Sequence, residues 1–258
     1  MLRDLRLWSE AGAEPARAGI LVSREQFGAT GSCSAGALAV LVDAVAGGTA
    51  LRAAPESWIA TSDMRLHCLG VVGEGELVAR TQLLRSGRSS IVLDVEVHAG
   101  VAHVAQATVA FSRLEAQGEY QQRPRGERLG RVDFGASDAG FSRPWAERMG
   151  MVVLDAAAGV VALPLTPYVG NSLGGLQGGI AVALLDFAAE AAGGAELGRP
   201  AATRDLAVHF LAIGRVGPIE THATKLRRTG DELLLRVESR DRGAGDRLCT
   251  VATVWVSA

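Results

Sequence analysis

Two aspartates stand at the same distance from a turn of small residues. Ser34-Ala35-Gly36 is followed by six residues and then Asp43; Gln177-Gly178-Gly179 is followed by six residues and then Asp186. Both aspartates lie in apolar stretches, and each stretch leads to a Thr-x-Asp segment, Thr61-Ser62-Asp63 and Thr203-Arg204-Asp205. A carboxylate inside an apolar helix is costly to bury unless it is paired or used. Its recurrence in two copies points to use. Such an aspartate can act as a general base or as a nucleophile, and the residues leave both open. A helix beginning at the small turn would add free backbone N–H groups and a positive partial charge. Gly178, with no side chain, would let a reacting carbonyl approach them. The hydroxyls of Thr61 and Thr203 could orient a water or hold the carboxylate.

Elements of matching kind must position these groups. Residues 35–53 are rich in Ala, Leu and Val and contain no proline until Pro55, which predicts a helix apolar on most faces. The stretch Ala35–Leu51 carries Asp43 and several glycines, so a buried core helix is the better reading than a membrane span. A short strand is expected near 20–23. Met64, Leu66 and Cys68 then alternate with Asp63, Arg65 and His67, and further strands are expected at 75–84, 91–98 and 103–114. Residues 116–131 are polar and almost free of apolar residues, a linker composition. The series then restarts: one or two strands in 152–165, an apolar helix over 178–192 ended by Gly193-Gly194, and strands at 203–211, 218–226, 233–240 and 248–256. Alternation places Leu206, Val208 and Phe210 on one face of the first of these, with Thr203, Asp205 and His209 on the other. The duplication divides the chain into units 1–115 and 132–258.

Composition narrows the classes of function. The formal net charge is −2 and aromatic residues make up 5% of the chain, which supplies neither the electrostatic attraction nor the stacking platforms of a nucleic-acid partner. Cys33, Cys68 and Cys249 form no CxxC pair and no zinc-ligand spacing, so neither a disulfide framework nor a metal site is expected. No secretory signal pattern opens the sequence, and a cytoplasmic protein without membrane attachment is the expectation.

A long apolar helix ahead of a run of antiparallel strands, present twice, resembles a tandem hotdog protein. The second half is similar to hotdog thioesterases of the phenylacetate-degradation type, whose pattern is an Asn, a His-Gly-Gly turn opening the helix, an Asp within it and a Ser or Thr on the next strand. Asn171, Gln177-Gly178-Gly179, Asp186 and Thr203 take those places. In the first half Gly28 stands for the Asn and Ser34-Ala35-Gly36 for the turn, while Asp43 and Thr61 are retained. The resemblance implies an α+β fold of two hotdog units, each a long central helix wrapped by an antiparallel sheet, packed as a pseudo-dimer. It also implies sites shared between units. One combines Asp43 and Thr61 with Asn171, Gln177 and Gly178; the second combines Asp186 and Thr203 with Ser34 and Ala35, beside Gly28. The first keeps the polar donors and the glycine, so it is expected to be the active one.

The implied activity is hydrolysis of an acyl-CoA or acyl-carrier thioester, with coenzyme A as part of the substrate and no other cofactor. A homodimer of tandem chains is expected by analogy. Two alternatives belong to other classes: a non-catalytic acyl-thioester-binding protein, since the first turn departs from the pattern, and an enoyl-CoA hydratase-like enzyme, since Asp63/His67 and Asp205/His209 could form dyads. Cys33 next to the first turn reads as a buried, inert thiol. Arg85, Arg88, Arg227 and Arg228 flank turns and could meet the phosphates of coenzyme A.

Overall fold

The computed structural model describes residues 1–12, 15–114, 130–135 and 140–258. Most of the expected linker 116–131 lies outside the described residues. The first half comprises β1 (Trp8–Ala11), β2 (Ala16–Val22), α1 (Ala35–Ala53), β3 (Trp58–Cys68), β4 (Gly75–Ser86), β5 (Ser90–Ala99) and β6 (Ala102–Leu114). After it come β7 (Gly130–Asp133), α2 (Trp145–Met149), β8 (Val152–Asp155), β9 (Val160–Leu163), α3 (Gly178–Leu197), β10 (Ala202–Phe210), β11 (Ile219–Thr229), β12 (Glu232–Asp241) and β13 (Arg247–Ser257). The strands form one antiparallel sheet in the order β7-β1-β2-β4-β5-β6-β3-β10-β13-β12-β11-β9-β8. Counted outward from the β3–β10 junction, each strand of one half meets its counterpart of the other at the same position. The exception is β7, which adds to the free edge of β1; its first two residues were assigned to the linker by composition.

The helices pack on one face of this sheet and against each other. α1 is buried from Ala35 to Asp43 and at Val45, Ala46 and Ala50, in keeping with its lack of a polar side, and only half-buried over most of its last turns. By length and hydropathy it is apolar enough to cross a membrane, contrary to the expectation from its glycines and aspartate, yet most of it is buried within the protein. Its N-cap is Ser34, whose side chain accepts from the Ala37 N–H. α3 is capped by Gln177, which accepts from the Ile180 N–H at 2.8 Å. α3 does not stop at Gly193-Gly194 as the composition suggests; it runs to Leu197 and ends at Gly198 in the left-handed conformation. Gly193 serves close packing instead, since a Cβ there would lie 2.8 Å from Val256 Cγ2.

Where α1 and α3 cross, no side chain fits. A Cβ on Gly36 would sit 2.7 Å from Ala183 Cα, and one on Gly179 would sit 2.7 Å from Val40 Cα. The crossing brings the N-terminus of each helix to the aspartate of the other. A second device aims the threonines. The register of β3 against β6 shifts between Thr61 and Asp63, and that of β10 against β13 shifts between Thr203 and Asp205. One extra residue at each bulge reverses the strict alternation of the strand. Thr203 therefore turns inward to a buried position, instead of outward with Asp205 and His209 as uninterrupted alternation predicts.

Two glycine replacements of opposite sign test this packing. Gly36→Ala forces a methyl onto the α3 backbone and is expected to destabilise the protein by about 1–3 kcal/mol. Gly48→Ala, where a Cβ would meet only the Arg52 side chain at 3.9 Å, is expected to stabilise it by about 0.5–1 kcal/mol. Thermal denaturation of the two variants reads both; a higher melting temperature for Gly36→Ala would contradict the crossing.

Candidate active site

Asp43 is held from both halves of the chain. The Thr61 hydroxyl donates to Oδ1 at 2.9 Å and Gln177 Nε2 donates to Oδ2 at 2.6 Å. The Gly179 N–H, in the first turn of α3, is directed at the same carboxylate. Gln177 thus bridges: its Oε1 caps α3 while its Nε2 fixes the aspartate. Burial raises the Asp43 pKa above its ordinary value, against the opposing pull of Thr61 and the Gly179 N–H. Gly178 lies so close that a Cβ would be 2.6 Å from Thr61 Oγ1 and 2.9 Å from Asp43 Oδ1. Only glycine fits there without disturbing the Thr61–Asp43 bond.

Asp43, Thr61, Gln177, Gly178 and Asn171 all border one cavity of about 850 Å³, which extends along α1 past Gly47, Gly48 and Leu51. Five residues expected to share a site are therefore together. The amide of Asn171 is engaged within its own loop: Oδ1 accepts from the Leu173 and Gly175 N–H groups, and Nδ2 donates to the Leu176 carbonyl. Asn171 shapes the loop that precedes Gln177. The N-terminal residues Met1, Leu2 and Arg3 also border the cavity, and Asp4 ties this segment to the second half by accepting from the Tyr168 hydroxyl at 2.6 Å.

The second set, Asp186, Thr203, Ser34 and Ala35, is also brought together but borders none of this cavity. Asp186 is 1% exposed against 8% for Asp43. The Gly36 N–H donates to its Oδ2 at 2.7 Å. Its Oδ1 and the Thr203 hydroxyl are both buried without a hydrogen-bond partner among the described residues, although Thr203 lies beside the carboxylate.

Glu190, one turn beyond Asp186, was not singled out by sequence reasoning. It is buried, and its carboxyl is held well above its ordinary pKa by desolvation and by the charge of Asp186, with the Ala29 and Thr203 N–H groups opposing. Asp186 is likewise raised by burial. The available signal was its position, four residues after an aspartate on an apolar helix.

Other candidates fall elsewhere. Arg85, Arg88, Arg227 and Arg228 do not border the cavity; Arg228 is bound to Glu196 and the Gly230 carbonyl. The cavity's arginines are Arg3, Arg17 and Arg52, of which Arg17 pairs with Glu10. The His–Asp dyads exchange partners across the central junction. Asp63 meets His209 Nδ1 at 2.6 Å and Asp205 meets His67, with neither pair bordering the cavity. They stand opposite the inward-facing Met64 and Leu66. Cys33 is buried and its thiol is pushed up by that burial, so it offers no thiolate.

The fold is that of hotdog proteins. A protein with a hot dog fold from Alicyclobacillus acidocaldarius superposes with a TM-score of 0.59 at 12% identity, over 99% of this chain and 97% of that one. A TesB protein of Mycobacterium avium subspecies paratuberculosis gives 0.62 at 16% identity, over 96% and 94%. An acyl-ACP thioesterase from Bacteroides thetaiotaomicron gives 0.59 at 11% identity, over 93% and 97%. Residues 30–105, which include α1 with Asp43 and β3 with Thr61, match the family model described as Thioesterase superfamily. The resemblance to hotdog thioesterases read from the sequence is thereby borne out. No curated protein matches the sequence significantly.

The buried carboxylate pair makes a stability prediction. Groups whose folded pKa is raised favour the folded state while protonated, and that contribution is lost as pH rises from the ordinary carboxylate range through the raised values. Glu190→Gln removes one of the two charges. It should stabilise the protein at pH 8 and have little effect at pH 4, where both carboxyls are protonated in the folded state. Melting temperatures across this range check it; an equal shift at both ends would refute the pairing.

Proposed function

We propose that the chain is an acyl-CoA thioesterase, built as two hotdog units packed as a pseudo-dimer, with its working site formed by Asp43 and Thr61 of the first unit and Gln177 and Gly178 of the second. The observation that carries this reading is the clasp on Asp43, donated by one residue from each half at the edge of a large cavity. The thioesterase-superfamily match of residues 30–105 and the fold shared with an acyl-ACP thioesterase support the substrate class.

The chemistry follows from the groups present. Desolvation makes Asp43 a stronger base than a carboxylate in water, and its contact with the cavity lets it take a proton from a water or attack the thioester carbon itself. Gly178 begins α3, so its N–H has no intrahelical acceptor and lies where the helix dipole is positive. A thioester carbonyl placed against it gains a donor as charge develops on oxygen. Water supplies the new oxygen of the acid in either route, by attacking the thioester directly or by hydrolysing the anhydride formed on Asp43; the carbon–sulfur bond breaks, and the departing coenzyme A thiolate takes up the proton that the water gives up. A base and an oxyanion donor suffice, so the proposed reaction calls on no metal or redox cofactor. Asp186, less exposed and beside Glu190, has no comparable access. The hydratase-like alternative loses its dyads to the sheet surface.

Asp43→Asn should lower kcat/KM for acyl-CoA hydrolysis by roughly 10²–10⁴-fold, the usual worth of a positioned base. Asp186→Asn should leave most of the turnover. Release of free coenzyme A measured with a thiol reagent decides between them; a folded Asp186→Asn protein that has lost activity sinks the assignment. Gly178→Ala should part Thr61 from Asp43 and lower kcat by about 10–100-fold with a smaller effect on KM.

A further inference from the structure

The two halves differ most sharply one helical turn beyond their aspartates. Asp43 is followed at the fourth position by Gly47 and then Gly48; Asp186 is followed by Glu190 and then Ala191. Residues four apart share a helix face, so Gly47 and Glu190 extend the faces that carry the aspartates.

In α1 that face is open. A Cβ at Gly47 would meet only the Phe111 ring, at 3.8 Å, and one at Gly48 would meet only Arg52 Nη1, at 3.9 Å. Adjacent glycines inside a helix cost roughly 0.5–1 kcal/mol each relative to alanine. Gly36, Gly179 and Gly193 are required by close neighbours; Gly47 and Gly48 are not. What they leave is space, and that space belongs to the cavity that begins at Asp43 and continues between α1 and the sheet, past Leu51, Ile59 and Phe111.

In α3 the equivalent space is filled. The Glu190 carboxylate presses on Gly28, where a Cβ would lie 2.7 Å from Oε2 and 2.9 Å from Oε1. Gly28 stands in the first half where Asn171, which borders the cavity, stands in the second. Glu190 thus reaches across the second pseudo-site to its opposite wall.

We propose that the residue four positions after each aspartate decides whether that pseudo-site accepts an acyl tail. Gly47, with Gly48, opens a channel for the hydrocarbon tail of the substrate along α1, and Glu190 closes the corresponding channel beside Asp186. The proposal rests on the thioesterase reading for the identity of the ligand. The apolar walls, Leu51, Ile59 and Phe111, select an uncharged alkyl chain over a polar acyl group.

The test uses binding, so that it is separable from turnover. The probes are S-butyl-coenzyme A and S-dodecyl-coenzyme A, thioethers that cannot be hydrolysed, titrated calorimetrically into the full-length protein. The wild type should bind the dodecyl probe more tightly, with about one site per chain. Gly47→Leu should reduce the dodecyl-to-butyl affinity ratio by at least about tenfold. Gly47→Ala, a smaller intrusion, should reduce it less and carries the test if the leucine variant does not fold. Glu190→Gly should keep the ratio and add a second binding event. An unchanged ratio in a cooperatively melting Gly47 variant overturns the proposal, as does a wild type that shows no preference for the longer probe. If the wild type hydrolyses no acyl-CoA yet the ratio falls as stated, the hydrolase reading fails and the channel stands. If hydrolysis is present and the ratio does not move, the channel alone fails.

Discussion

Each long helix ends, at its N-terminus, on the aspartate of the other. The Gly36 N–H meets Asp186, and the first turn of α3 meets Asp43. A lone carboxylate in an apolar core would be strongly disfavoured, and a helix N-terminus in the same core would leave N–H groups without partners. Placed together, each answers the other's need. The contact demands close approach of two backbones, which is why glycines occupy 36 and 179. It also fixes how the halves sit: the helices cross at their starts, β3 and β10 pair at the centre of one sheet, and the strands follow outward in matching order.

From that common frame the halves diverge by a few atoms. Gly178 against Ala35 is one methyl; on the glycine side the Thr61 hydroxyl bonds Asp43 at 2.9 Å, and on the other the Thr203 hydroxyl stands beside Asp186 without a bond of good geometry. Gln177 against Ser34 is the difference between a cap that also reaches the facing aspartate and one that only caps. Gly47 against Glu190 is the difference between a helix face that borders the cavity and one that carries a buried carboxylate against Gly28. All three favour the same side. The carboxylate held by the larger number of donors is the one that reaches the cavity, while its counterpart is less exposed and shares its surroundings with a second acid. One aspartate of the duplicated arrangement borders the cavity, and the turn of the other half borders it as well.

The repeat and the helix limits of α1 were legible in the residues, because they rest on local composition and on equivalent spacing; the pairing of Asp43 with the Gln177 turn was implied by the resemblance to hotdog thioesterases, not by spacing. The bulges at Thr61 and Thr203 were not. Alternation of polar and apolar residues reads straight through a bulge, so Thr203 looked outward-facing although it is buried. The role of Gly193-Gly194 was misread for a related reason: a glycine pair marks a helix end and a close approach with the same letters, and only Val256 across the interface distinguishes them. The exchange of partners between the His–Asp pairs depends on the register of β3 against β10, and no single strand carries that information. Glu190 was passed over because a glutamate in an Ala-rich helix reads as an ordinary solvated residue until Gly28 is placed against it.

The central claim is that one site is assembled from Asp43 of the first half and Gln177 of the second. A double-mutant cycle on kcat/KM for acyl-CoA hydrolysis tests it most directly, using Asp43→Asn, Gln177→Ala and the combined variant. If Gln177 acts through Asp43, its removal should cost activity in the wild type and almost nothing once Asp43 is gone, a coupling of at least about 1 kcal/mol. Strictly additive losses in folded proteins would mean that the two residues act independently, and would contradict the account.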